Sequence, residues 1–245
     1  MAIKKDAPVA DLIYGVHPVL EVLKQKNRKV MEIYTLKPEP KVWGQIKALL
    51  PKYPVRIHAF TRQALSEKLG TTDHQGIAAL VQPFVYRKQF FSAAKEPLLL
   101  MLDGIEDVRN MGAIIRTAYC AGVDGIIIAK KNGAPLNAAA LKASAGLAER
   151  IPVYQASSVA SVLPLLKMAG YTLYVAALTN KPNAYTLTYT TPLCLVVGSE
   201  GDGVSPEILK AGIPVMLPQS ASDVSYNVSV ATGMLLATLA QRIAR

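Results

Sequence analysis

The sequence predicts an α/β protein in two modules: a small basic α/β module, then a larger one built on a mostly parallel sheet. Three observations lead there. The runs Leu98-Leu99-Leu100-Met101-Leu102, Gly125-Ile126-Ile127-Ile128-Ala129 and Leu193-Cys194-Leu195-Val196-Val197 are continuously apolar, as in strands buried on both faces. Helical stretches alternate with them, which covers both faces of a parallel sheet. The 245 residues are 51% hydrophobic and 18% charged, enough core for one large or two modest domains and too apolar for a disordered chain.

In the first module, Pro18 suits the first turn of a helix that ends at the basic cluster Lys24 to Lys29. A strand is expected over 30–34, a helix over 43–50 stopped by Pro51, and a strand over 55–59. Thr61 caps a short helix reaching Leu69, and a strand follows over 76–81. Residues 1–82 form this module. Residues 83–97 read as a linker bounded by Pro83 and Pro97, and 98–245 as the second module.

In the second module the expected order is strand 98–102, helix 110–121, strand 125–129, helix 137–148, a strand near Val153, helix 159–169 and strand 172–177. Strand 193–197, a short helix after Ser205, strand 213–217 and a last helix over 227–242 complete it.

The formal net charge is +10, from 27 Lys+Arg against 17 Asp+Glu. Residues 1–96 hold +8 of it and residues 97–245 only +2. A polyanion is therefore the expected partner of the first module. Two cysteines, Cys120 and Cys194, exclude a disulfide framework and suit a reducing cytosol; both sit in apolar runs and read as core. No apolar run approaches the ~20 residues that span a bilayer, and the start lacks the apolar segment of a signal peptide.

All three histidines, His17, His58 and His74, lie in the first module, so the second holds no Ser-His-Asp triad and no multi-histidine metal site. The glycines after Leu102 do not have dinucleotide spacing, and Gly198-Ser199-Glu200-Gly201-Asp202-Gly203-Val204-Ser205 lacks the lysine of a P-loop. Three segments remain. In Asn110-Met111-Gly112-Ala113-Ile114-Ile115-Arg116-Thr117, Asn110 can cap a helix, and Arg116 either finds an anionic partner or snorkels to solvent. The glycine cluster carrying Glu200 leaves a buried strand, where ligands of open α/β sheets bind. The polar run 217–227 precedes the last helix, which Asn227 can cap.

In this order the three segments resemble the motifs of the TrmH/SpoU family of the SPOUT superfamily, RNA 2′-O-ribose methyltransferases. The matching residues are Asn110-x-Gly112-x-Ile114-x-Arg116-Thr117-Ala118, then Val197-Gly198-Ser199-Glu200-Gly201-x-Gly203-Val204-Ser205, then Ser225-Tyr226-Asn227-Val228-Ser229-Val230-Ala231. The first module is similar to a substrate-binding domain placed ahead of this catalytic domain, through Tyr14-Gly15-Val16-His17-Pro18-Val19 and Asp73-His74-Gln75-Gly76-Ile77-Ala78. The whole arrangement most resembles the bacterial enzymes that methylate a guanosine ribose in large-subunit ribosomal RNA.

The resemblance implies a SPOUT α/β-knot, a deep trefoil knot formed after about Ala176, and a cytoplasmic homodimer with its site at the dimer interface. It implies S-adenosylmethionine held at Gly198, Leu217 and Tyr226, and no metal. It also implies catalytic roles: Arg116 as the main catalytic residue, binding phosphate or polarising the nucleophile, Asn110 orienting the ribose or Arg116, Glu200 fixing Arg116 or its loop, and Ser225 and Asn227 shaping the site. A guanidinium is a poor general base, with a pKa above ~12. In the first module Lys24, Lys26, Arg28, Lys29, Lys41, Lys47, Lys52 and Arg56 are candidate phosphate contacts for RNA. The third segment departs from the family at Gln219 (usually Met), Ala221 (usually Gly) and Tyr226 (usually Leu). The same layout would serve a transfer RNA methyltransferase, an enzyme of antibiotic resistance acting on ribosomal RNA, or a non-catalytic RNA-binding relative.

Overall fold

Two sheets organise the chain. In a computed structural model, residues 10–178, 182–220 and 223–242 are described. The chain divides into one unit of 1–85 with 136–150 and a second of 86–135 with 151–245.

Unit 1 contains β1 (Asp11–Tyr14), α1 (Val16–Gln25), β2 (Val30–Leu36), α2 (Trp43–Leu49), β3 (Arg56–Phe60), α3 (Arg62–Leu69) and β4 (Ile77–Val81). Its sheet runs β1-β4-β2-β3. β4 is antiparallel to both β1 and β2, and β2 is parallel to β3. The four-residue β1 is absent from the sequence reading, being too short for periodicity to declare. Thr61 caps α3 as expected, its hydroxyl accepting from Ala64 N at 3.2 Å.

Unit 2 contains β5 (Leu98–Asp103), α4 (Val108–Cys120) and β6 (Gly125–Ala129); α5 (Ala138–Ala143), next in the chain, belongs to unit 1 and packs there on β1. Then come β7 (Val153–Ala156), α6 (Leu163–Met168), β8 (Thr172–Ala177), β9 (Leu193–Gly198), α7 (Pro206–Ala211), β10 (Ile213–Met216) and α8 (Val228–Arg242). The six strands run β10-β8-β9-β5-β6-β7, every pair parallel. β5 and β9 are buried at every position, as their unbroken apolar runs require.

α5 stops well before residue 148. Asn137 caps its start, accepting from Ala139 N and Ala140 N, but Ala145 and Gly146 are left-handed, with φ of 53° and 77°. At Gly146 a Cβ would stand 2.9 Å from His17 O, so only glycine fits. This segment belongs to unit 1, whereas the sequence reading placed it within 98–245. The stretch read as a linker over 83–97 is packed from Tyr86 on: Phe91 is buried in the core of unit 2, Arg87 N donates to Val153 O, and Arg87 pairs with Glu96. Phe91 fills the space where Gly125 would carry a side chain. Among the described residues no helix is long and apolar enough to cross a membrane.

Candidate active site

The carboxyl ends of β5 and β9 meet in register, Asp103 beside Gly198. The chain turns after Gly198 into a loop closed by Ser199 and Gly203, each N–H donating to the other's carbonyl at 3.1 Å. A Cβ on Gly198 would lie 2.1 Å from Gly203 C, so glycine is obligatory there. Asp103 fixes the far end of the loop, its carboxylate accepting from Ser205 N at 2.8 Å. In the sequence, Asp103 is marked only as an acid that closes a buried strand.

The loop presents Glu200, on which two other segments converge. Asn110 Nδ2 donates to Glu200 Oε1 at 2.9 Å, and Asn227 Nδ2 donates to the same oxygen at 2.5 Å. Asn227 Nδ2 also reaches Asn110 Oδ1 at 3.2 Å. Three motifs far apart in the chain thus share one oxygen. Asn227 caps α8 as read from the sequence, accepting from Ser229 N at 2.9 Å. Asn110 does not cap α4. Asp107 does, accepting from Arg109 N at 2.6 Å, which leaves the Asn110 amide free for Glu200.

Arg116 lies six positions beyond Asn110 on α4, about 240° around the helix. It is exposed and among the described residues has no ion-pair partner. Within one chain Glu200 therefore fixes the two amides and not Arg116.

The glycine loop is a wall between two clefts. One, of about 150 Å³, is lined by Gly198, Leu217, Gln219, Ser225 and Tyr226 together with apolar residues of β8, β9 and α8. Gly198, Leu217 and Tyr226, read from three separate segments, thus border one space. Gln219 ties its rim, donating from Nε2 to Val224 O at 2.9 Å. Ala221 lies outside the described residues. On the other side, a cleft of about 550 Å³ is bordered by Asp103, Asn110, Asn132, Glu200 and Asp202. A Cβ at Gly201 would meet no atom within 4 Å, so the loop leaves room that a side chain would take.

Among the described residues no group of three or more His, Cys, Asp or Glu could hold a metal ion. Cys194 is buried, and burial pushes its thiol up. Cys120, read as core, is exposed at the end of α4.

In unit 1, Arg28 corrects the sequence reading. Its side chain is fully buried, 2.8 Å from Asp11 and 2.7 Å from Glu149, with the Phe84 ring alongside. A guanidinium so enclosed does not meet a phosphate. Burial pushes the Glu149 carboxyl up against the pull of Arg28. Lys24 is half exposed and paired to Glu21 at 3.2 Å, while Lys26 and Lys29 are exposed. The end motifs of this module are structural. Gly15 has a φ of 100°, Gln75 Oε1 accepts from Val16 N, and buried His74 accepts from Gly76 N and bonds Ser66 Oγ. Burial, then Arg62 and Lys142, push His74 down, so it stays neutral.

Comparison with known proteins decides the family. Residues 97–237 match the SpoU rRNA Methylase family, and residues 12–87 match the RNA 2′-O ribose methyltransferase substrate binding domain. The chain belongs to the SpoU rRNA methylase family. The chain is 33% identical to the 23S rRNA (guanosine-2′-O-)-methyltransferase RlmB of Vibrio cholerae over 92% of its own length and 94% of the relative's. It is 32% identical to the Escherichia coli RlmB over 93% and 97%. Among solved structures, an RNA 2′-O ribose methyltransferase aligns with a TM-score of 0.82 at 20% identity, covering 97% of this chain and 90% of the other. The SpoU methyltransferase AviRb of Streptomyces viridochromogenes, solved with AdoMet, aligns with a TM-score of 0.79 at 20% identity, covering 94% and 89%. These likenesses show the fold. SpoU methyltransferases use S-adenosylmethionine, and the glycine-walled, largely apolar cleft fits such a group.

Proposed function

We propose that this SpoU family member transfers a methyl group from S-adenosylmethionine to the ribose 2′-hydroxyl of a guanosine in 23S ribosomal RNA. The observation that carries the reading is the convergence of Asn110, Glu200 and Asn227 on one oxygen, against a loop that walls the cleft formed by Gly198, Leu217 and Tyr226. The RlmB relatives supply the nucleoside and the RNA. Bound in that cleft, S-adenosylmethionine supplies a methyl carbon activated by its sulfonium.

The remaining work belongs to side chains. Much of the rate comes from holding the hydroxyl in line with the methyl carbon. Glu200 and Asn227 are exposed in the single chain, and two amides restrain the carboxylate. The free face of the Asn110 amide orients the ribose. Arg116 stays charged, so it binds a phosphate or polarises the nucleophile, and a phosphate oxygen or serine-bound water takes the proton. Ser225 lines the cofactor cleft and shapes it.

The protein acts in this reading as a cytoplasmic homodimer. An open catalytic carboxylate, and an exposed Arg116 with no ion-pair partner among the described residues, are both features that a second copy would cover. The family's trefoil knot is part of this reading; the order of the described strands, β9 between β8 and β5 with β10 outside β8, is one that such a path allows. Such threading is an exception to the usual connection rules.

The test is transfer of label from methyl-tritiated S-adenosylmethionine into unmodified 23S ribosomal RNA under single-turnover conditions. The parent protein labels the RNA, and Arg116→Ala loses all but a small fraction of the rate. Activity of Arg116→Ala within a few-fold of the parent sinks its central role.

A further inference from the structure

We propose that the outer edge of the unit 1 sheet, β3 with its flanking residues, is the face that receives single-stranded RNA, with a base stacking on His58. The inference rests on the reading of the protein as an RNA methyltransferase and adds to it a surface and a mode of contact.

Among the described residues β3 pairs on one side only, with β2. Free edges invite pairing, and proteins guard them with charge. Here Arg56 is 79% exposed at its side chain, and Ile57 and Tyr53 are exposed too. Lys52, Arg62 and Lys37 flank the strand and are exposed, and Lys29 lies over the Tyr53 ring at 5.4 Å. The acids Glu67 and Glu32 stand among them, and both are engaged. Glu67 accepts from Gln63, and Glu32 accepts from Tyr34 OH at 2.7 Å and from Arg56 at 3.3 Å.

The edge also carries an unfinished aromatic stack. Tyr34 and His58 are cross-strand partners, their rings 5.4 Å apart and 21° from parallel. Lys68 lies over Tyr34 at 4.8 Å, and Tyr34 is buried. The His58 side chain stays 41% exposed, held 3.1 Å from Glu32. An imidazole stacked on Tyr34 and still 41% exposed offers a platform to an unstacked base, with cations nearby for the phosphates. In a duplex the bases are already stacked, so this face selects single strands.

By contrast, the expected basic end of α1 has Arg28 buried and Lys24 paired, leaving Lys26 and Lys29. Lys29 belongs to the β3 face through Tyr53.

The experiment measures RNA affinity of the full-length protein by fluorescence anisotropy, using a labelled single-stranded RNA and a duplex of the same sequence. The triple variant Arg56→Ala, His58→Ala, Lys68→Ala should weaken single-strand binding about 10-fold or more. It should flatten the log–log salt slope by roughly 1.4, from two lost cations on a single strand. Lys24→Ala with Lys26→Ala should stay within about 2-fold, as should His58→Phe, which keeps the stack. Melting temperature and S-adenosylmethionine affinity report folding. If the triple variant melts early, Arg56→Ala alone and the His58→Phe and His58→Ala pair replace it. Loss on the α1 pair that exceeds loss on the β3 set, or a β3 set within 2-fold, overturns the placement. Equal loss in His58→Phe and His58→Ala overturns the stacking. A parent protein that binds neither RNA overturns the RNA reading beneath it.

Discussion

Asn110 and Glu200 stand 90 positions apart and share a 2.9 Å hydrogen bond, the link that turns two separate motifs into one site. Asn227 closes the group on the same oxygen. Glu200→Ala removes the acceptor of both amides and leaves the other walls of the cleft bordered by Gly198, Leu217 and Tyr226 in place. The expected result is a fall in kcat of roughly 100-fold with S-adenosylmethionine affinity within a few-fold, because hydrogen bonds to a charged group each contribute about 1.5–3 kcal/mol. Single-turnover rates beside calorimetry check it.

Gly198→Ala places a methyl group 2.1 Å from Gly203 C, against backbone that has no side chain to move. The substitution should destabilise unit 2 by about 1–3 kcal/mol or more and abolish cofactor binding. Thermal melting with and without S-adenosylmethionine reads both effects. A parent-like ligand-induced shift would count against the loop's place in the cleft.

Gln219 departs from the family pattern, yet it holds part of the site in shape. Its amide donates to Val224 O at the rim of the cleft. Gln219→Ala should weaken S-adenosylmethionine binding roughly 3- to 10-fold, the equivalent of one hydrogen bond of 0.5–1.5 kcal/mol. Calorimetry checks it, and unchanged affinity would make the contact incidental.

Glu21 gives unit 1 a carboxylate whose ionised form favours the fold. Burial opposes ionisation of Glu21, but the hydrogen bonds and charges of Arg150 and Lys24 outweigh it and hold its pKa below the usual 4.5. A depressed folded pKa gives stability that is present above the unfolded pKa and is lost as pH falls through the folded one. Glu21→Gln should therefore lower the melting temperature at pH 7 and narrow the gap to the parent below pH 4.5. Melting curves from pH 7 to pH 3 test the sign.

Arg28 makes a sharper case. Removing one partner of a buried ion pair costs about 3–5 kcal/mol, whereas replacing the whole group with apolar residues is far milder. Arg28→Ala should destabilise unit 1 by that order, and Arg28→Met with Glu149→Leu should recover most of it. Denaturant unfolding checks both.

The alternation of buried strands and helices was legible in the sequence because a two-faced parallel sheet demands continuous apolar runs, as in Leu98 to Leu102. The three motifs were legible as segments. Their meeting on Glu200 was not, since no local pattern says which loops share a strand end. Asp107 and Asn110 are both good capping residues three positions apart, so the sequence alone does not say which of them caps α4. Burial of Arg28 was invisible because its partners Asp11 and Glu149 come from distant segments. The end of α5 at Ala143 was hidden by an alanine-rich stretch of high helix propensity; tertiary contact at Gly146 overrides it.

Nucleoside mass spectrometry reads the methylated ribose itself. Unmodified 23S ribosomal RNA is incubated with the protein and S-adenosylmethionine, digested to nucleosides, and compared with a sample treated with Glu200→Ala. 2′-O-methylguanosine is expected in the first sample and almost none in the second. Methylation on a base, or no methylated nucleoside from a protein that binds both S-adenosylmethionine and the RNA, would contradict it.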